Sequence, residues 1–213
     1  MLNTALHAPR RHVAEYDTVL AWLITALLAI GLVMVYSASI ATAEAGRYTG
    51  HQATYYLVRH GLFMTVGLAA AVIAFQVPTQ TWQKYAPVLF MIGVLLLMLV
   101  LIPGIGKSVN GSRRWISLIV FNMQPSELMK LFAVLYAADY AVRKGAVRHR
   151  FVQSFVPMFI VMALVGALLL LEPDMGAFVV ICAIAMGMLW LGGFNLKIFG
   201  ALTVALPLAF AAL

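Results

Sequence analysis

Glu127 and Lys130 stand three residues apart in a stretch that is otherwise apolar. On a helix, that spacing puts both side chains on one face. A charge within an apolar helix is costly, so it is normally paired or turned toward a wet cavity. The two residues read either as a structural ion pair or as part of a cavity for a polar substrate. A second group is the run Lys107-Ser108-Val109-Asn110-Gly111-Ser112-Arg113-Arg114-Trp115. Arginine offers a planar fork of donors that matches phosphate. Asn110-Gly111 supplies a turn that lets backbone approach a ligand. The same run also fits a solvated loop with a tryptophan anchored at an interface. Glu172 and Asp174 flank Pro173. Paired carboxylates can do acid–base work, yet the proline between them argues first for a helix break.

The remaining ionisable residues point to plainer roles. Arg59 precedes an apolar run and reads as a snorkelling interface residue. Asp139 is placed to pair with Arg143 at i+4. His51 and His60 share no metal-ligand spacing. Cys182 is the single cysteine and reads as a small buried apolar residue. Gly104-x-Gly106 lacks the strand context of a nucleotide loop. These residues assign no cofactor, and a divalent cation stays open.

The elements that must carry these groups are membrane helices. The chain is 64% hydrophobic and 10% charged, with a mean hydropathy of +0.99. A soluble domain has about 25% charged residues. A bilayer core of about 30 Å takes about 20 apolar residues at the helical rise. Residues 18–43, 61–83, 85–106, 151–171 and 175–196 form charge-free runs of that order. A fourth span must run over about 125–142 despite Glu127, Lys130 and Asp139. Pro125 suits its first position, and Glu127 then meets the positive end of the helix dipole. The expected fold is an all-α, polytopic transmembrane bundle, since lipid leaves backbone groups no water to bond. The first run is far longer than the about 7–15 residues of a signal-peptide core and should remain as a membrane helix.

Alternating the helices from a cytoplasmic N-terminus puts eight Lys and Arg inside, against five outside or at the outer interface. The dense segment 143–150 supports that orientation most. The net charge of +7 then reflects loop charge that sets topology rather than nucleic-acid binding. The outer loops fall at about 44–59, 104–124 and the turn 172–174. Residues 1–17 form a cytoplasmic stub, and 18–213 form the transmembrane domain. The seventh apolar run, 198–213, stops short of a full span, so the chain is expected to be truncated within its seventh helix.

Asn110-Gly111-Ser112-Arg113-Arg114-Trp115-Ile116, followed by Gln124-Pro125-Ser126-Glu127-Leu128-Met129-Lys130, resembles the SEDS family of cell-wall polymerases (shape, elongation, division and sporulation). Glu172-Pro173-Asp174-Met175-Gly176 is similar to the family's Gln-Pro-Asp-Leu-Gly element, with Glu for Gln and Met for Leu. Tyr36-Ser37-Ala38-Ser39 is similar to the end of its first helix. The loop motif and the helix end Ala138–Gly145 look more like the division branch than the elongation branch.

That resemblance implies about ten membrane helices, about seven of them here. It implies a peptidoglycan glycosyltransferase that polymerises lipid II, a disaccharide-pentapeptide on undecaprenyl diphosphate, for septal wall synthesis in cell division. The enzyme would be a multi-pass protein of the bacterial cytoplasmic (inner) membrane at the septum. Its partners would be a class B penicillin-binding transpeptidase (FtsI) and other division proteins, with no nucleic acid. By motif match, Arg59, Arg114, Glu127, Lys130 and Asp174 would bind substrate. Arg59, Arg114 and Lys130 would serve the diphosphate, and Glu127 would hold Lys130. No residue here matches the family's proposed catalytic Asp, which is expected beyond Leu213 in a large outer loop. These 213 residues alone are therefore expected to be inactive. A lipid II flippase and a non-catalytic scaffold of the division complex are the alternatives.

Overall fold

The computed structural model describes residues 17–109, 111–118, 122–147 and 150–194. They fall into two compact units, divided after Gln76. In the first unit, helix α1 runs Thr18–Ala45 and helix α2 Tyr55–Gln76. Asp17 caps α1, its carboxylate accepting from the amides of Val19 at 2.9 Å and Leu20 at 3.1 Å. Ala43 is the one buried residue of the two helices and most of their side chains are exposed, although both helices are strongly apolar. Such all-round apolar faces suit lipid as the surrounding solvent.

The second unit holds α3 (Thr79–Leu101), a small sheet, α4 (Pro125–Arg143), α5 (Phe151–Ser154), α6 (Val156–Leu171) and α7 (Met175–Leu191). On α4, the buried residues Met129, Ala133, Ala137 and Tyr140 recur at helical spacing and form one stripe. Ala133 and Ala137 are small, which lets neighbouring helices come close where lipid offers no hydrophobic drive for association. The stripe packs against α3 and α7. Phe90 of α3 stacks on Tyr136 of α4 with ring centroids 4.3 Å apart. At the far end of α4, Asp139 pairs with Arg143 at 2.7 Å and accepts from Gln83 of α3 at 3.4 Å. The Tyr140 hydroxyl donates to the Ser154 carbonyl at 2.7 Å, tying α4 to α5.

Proline, rather than charge, sets several helix ends. The expected span 61–83 is replaced by α2 at Tyr55–Gln76, because Pro78 disfavours helix in the residue before it. Arg59 and His60 consequently lie within α2, and Lys84 lies within α3. Helix α3 stops at Leu101, two residues before Pro103, rather than at 106. The run 151–171 divides into α5 and α6, with Pro157 in the first turn of α6. Helix α7 ends at Leu191, before Gly192-Gly193, and not at 196. Arg143 is the last residue of α4 rather than the first beyond it.

Helices α1, α2 and α3 are each long and apolar enough to cross a membrane. Helices α6 and α7 are apolar but have 16 and 17 residues. The expected run 198–213, residues 1–16 of the expected stub 1–17, and Asn110 lie outside the described residues.

The segment between α3 and α4 is not a plain loop. It folds as a three-stranded antiparallel sheet of β1 (Gly106–Val109), β2 (Ser112–Ser117) and β3 (Asn122–Met123), in that order. Gly111, at φ 81°, takes the left-handed conformation between β1 and β2 that the Asn-Gly pair predicts. Gly106 opens β1 so close to the preceding chain that a Cβ there would sit 1.9 Å from the Val100 carbonyl oxygen.

Candidate functional site: a clasp around Asp174

Arg114 owes its direction to an irregularity in the sheet. Lys107 faces Trp115 across the strand pair, but the next residue, Ser108, faces Arg113. Arg114 is therefore the extra residue of a bulge, a feature that bends a strand and re-aims a side chain. Its guanidinium reaches the turn between α6 and α7. Nε donates to the Glu172 carbonyl at 3.2 Å, and Nη2 donates to the Pro173 carbonyl. Nη1 lies 3.9 Å from the Asp174 carboxylate. Arg113, its neighbour, donates to the Leu101 carbonyl at 3.2 Å and so ties the sheet to the end of α3.

Asp174 is buried and held from several sides. It is the N-cap of α7, accepting from the Ala177 amide at 3.2 Å. Its other oxygen accepts from Gln124 Nε2 at 2.8 Å and from Ser126 Oγ at 2.9 Å. Gln124 is in turn the N-cap residue of α4, and Pro125 follows at the first helical position. The carboxylate thus meets the start of α7, the start of α4 and an arginine. Helix N-termini and hydrogen-bond donors both favour an anion. The arrangement clasps β2, α4 and α7 together, with three hydrogen bonds accepted by the Asp174 carboxylate.

Glu172 is the opposite case. Its side chain is fully buried, and among the described residues neither carboxylate oxygen has a hydrogen-bond partner. Burial first, and the nearby Asp174 charge second, push its carboxyl up to about 8, with Arg114 opposing.

Glu127 and Lys130 form the expected ion pair at 2.7 Å across i,i+3. The carboxylate is 61% exposed and the ammonium 27%. The pair lies on the first turn and a half of α4, immediately after Gln124 and Ser126. Four of the residues expected in the site therefore gather around the start of α4 and the α6–α7 turn. Arg59 lies on α2 in the other unit. There it accompanies Tyr55, whose hydroxyl accepts its Nη1 donor at 3.3 Å, and its guanidinium lies 5.6 Å from the centre of the Phe63 ring. Gln124 and Ser126 are site residues that the sequence does not single out, whereas Glu172 enters there with Asp174 as a carboxylate pair. Gln124-Pro125-Ser126 directly before an acidic helix start is the signal that could have found the first two. Among the described residues, no three of His, Cys, Asp and Glu gather as a metal site would require. Cys182 is half-buried in α7 and lines an apolar groove of about 340 Å³ between α6 and α7.

The fold and the clasp define a helical membrane protein whose inter-helix segment between α3 and α4 is fastened to the turn after α6. The family described as FTSW_RODA_SPOVE, cell cycle protein, matches residues 18–213, and the chain belongs to that family. A relative from Aromatoleum aromaticum, named "Probable peptidoglycan glycosyltransferase FtsW", is 55% identical over 205 residues, covering 96% of this chain and 50% of the relative. One of the same name from Burkholderia thailandensis is 54% identical, covering 91% of this chain and 42% of the relative. The chain thus spans about half the length of the curated relatives it matches. The crystal structure of the Thermus thermophilus rod shape determining protein RodA superposes with a TM-score of 0.71 at 26% identity, covering 91% of this chain and 60% of that one. A chain from a peptidoglycan synthase complex, titled for its coordination of polymerization and crosslinking, gives a TM-score of 0.69 at 26% identity, with coverage of 92% and 55%.

Proposed function

We propose that this chain is part of a peptidoglycan glycosyltransferase that polymerises lipid II for the division septum. The observation that carries the reading is the 55% identity, along nearly all of this chain, to a relative named for that activity. The sugar hydroxyl of one lipid-linked unit attacks the anomeric carbon of another. The bond from that carbon to the diphosphate breaks, and undecaprenyl diphosphate leaves with the electron pair. The reaction needs a base for the hydroxyl proton and positive charge for the leaving group.

Within that reading, Lys130 supplies charge to the diphosphate, and Glu127 fixes its ammonium. Arg114 adds charge while holding the turn, and Asp174 anchors it. Arg59 is proposed for the diphosphate on its motif match alone. None of these residues takes the role of base. Asp174 in particular is engaged by Gln124, Ser126 and the Ala177 amide. The working protein is placed in the bacterial inner membrane at the septum. The segment 104–124 and the turn 172–174 are then outside, and a class B penicillin-binding transpeptidase is the partner. The structural neighbour from a peptidoglycan synthase complex supports that partnership.

Purified full-length protein given lipid II in detergent tests the activity. Glycan polymer is expected, since polymerisation needs no second compartment. Absence of polymer, together with movement of lipid II across vesicles by the same preparation, would replace the polymerase with a flippase.

A further inference from the structure

Glu172 and Asp174 share one buried turn, but only one of them is provided with donors. Asp174 receives hydrogen bonds from Gln124, Ser126 and the Ala177 amide, and lies beside Arg114. Arg114 spends Nε and Nη2 on the carbonyls of Glu172 and Pro173, and no donor among the described residues reaches the Glu172 side chain. The elements around the turn bring no further compensation. Helix α6 is apolar from Val156 to Leu171. The α4 residues bonded at the turn, Gln124 and Ser126, are neutral and already committed to Asp174. Glu127 and Lys130, further along α4, are paired with each other. From α7 and β2 the charges acting on Glu172 are Asp174 and Arg114, which oppose one another.

An ionised carboxylate buried without a donor is far costlier than a neutral acid in the same place. A glutamine in its place would be neutral and of nearly the same size.

We propose that Glu172 is a neutral positioning residue: it carries its proton while the turn is clasped, and its ionisation loosens Arg114 and Asp174 from each other and from the start of α4. Burial and the Asp174 charge push its carboxyl up to about 8. The folded protein then holds this proton more tightly than the unfolded chain does. The stabilisation is complete below the ordinary glutamate range, falls as pH rises, and is lost once pH passes about 8. The consequence for polymer synthesis rests on the proposed function, whereas the protonation itself does not.

The test compares full-length wild type with Glu172→Gln by melting temperature in detergent across a pH series, alongside polymer yield. Wild type should lose several degrees as pH rises from neutral through about 8, and Glu172→Gln should not. The alkaline fall in polymer yield should flatten in the same variant. An infrared spectrum at neutral pH should show a protonated carboxylic acid in wild type that is missing from Glu172→Gln. Equal pH slopes for the two proteins, failure of Glu172→Gln to accumulate, or no acid signal attributable to residue 172 would each overturn the proposal. A flattened melting profile with no polymer from either protein at any pH would leave the protonation standing and remove the polymerase reading.

Discussion

Arg113 and Arg114 are adjacent and chemically identical, and the bulge in β2 gives them different work. Arg113 bonds one carbonyl of its own neighbourhood, Leu101. Arg114 bonds two carbonyls and faces a buried carboxylate at a turn 58 residues away in sequence. Lysine keeps the charge but has no fork to satisfy two carbonyls at once. Arg114→Lys in the full-length protein is therefore expected to lose about 1.5–3 kcal/mol of stability, the scale of a hydrogen bond to a charged group. Arg114→Ala should lose more, and Arg113→Lys less. Unfolding in detergent checks the order, and equal losses at the two positions would remove Arg114 from the clasp. Asp174→Asn removes the charge facing Arg114 and turns one acceptor into a donor, set against Gln124 and Ser126 or against the Ala177 amide. It should cost about 1–3 kcal/mol, measured in the same way; a neutral outcome would mean that Asp174 is held for shape alone.

Helix α4 was legible because its signals are local: Pro125 at the start, Glu127 in the first turn, and pairs at i,i+3 and i,i+4 that the structure closes at 2.7 Å. Absence of charge does not mark the ends of α2 and α3, since Pro78 and the Pro103-Gly104 step set the actual breaks. Lys84 is accommodated inside α3, its ammonium lying 5.7 Å from the centre of the Tyr85 ring. The small sheet is not legible in the sequence, since short strands leave little pattern and their stability comes from the partners they meet. The bulge at Arg114 could not be read at all, because it is defined by register against β1 and by the carbonyls of a distant turn. One element-scale consequence is sharp. Any side chain at residue 106 would press on the Val100 carbonyl, which is backbone and cannot swing aside. Gly106→Ala should force β1 off the end of α3, with a loss of about 1–3 kcal/mol or more and reduced accumulation in membranes. Normal accumulation and an unchanged melting temperature would contradict that packing.

For the whole molecule, the sidedness of the chain decides whether the clasp can meet an extracytoplasmic substrate. The charge asymmetry predicts that the sheet lies outside and that segment 143–150 lies inside. Single cysteines at Ser112 and Ala146, in a Cys182→Ala background, can be probed with an impermeant thiol reagent in cells whose outer membrane is permeabilised. Position 112 should label and position 146 should not; the reverse pattern would put the clasp on the wrong face for lipid II polymerisation.

The central proposal is that the start of α4, braced by Asp174 and Arg114, presents Lys130 to the diphosphate of a lipid-linked sugar. It is tested most directly by the rate at which full-length wild type and Lys130→Ala form glycan polymer over a range of lipid II concentrations, at matched protein levels and matched melting temperatures. Loss of a group that stabilises developing charge lowers turnover by about 10²–10³, so Lys130→Ala should fall by about that factor even at saturating lipid II. Polymer formed by Lys130→Ala at the wild-type rate would contradict the account.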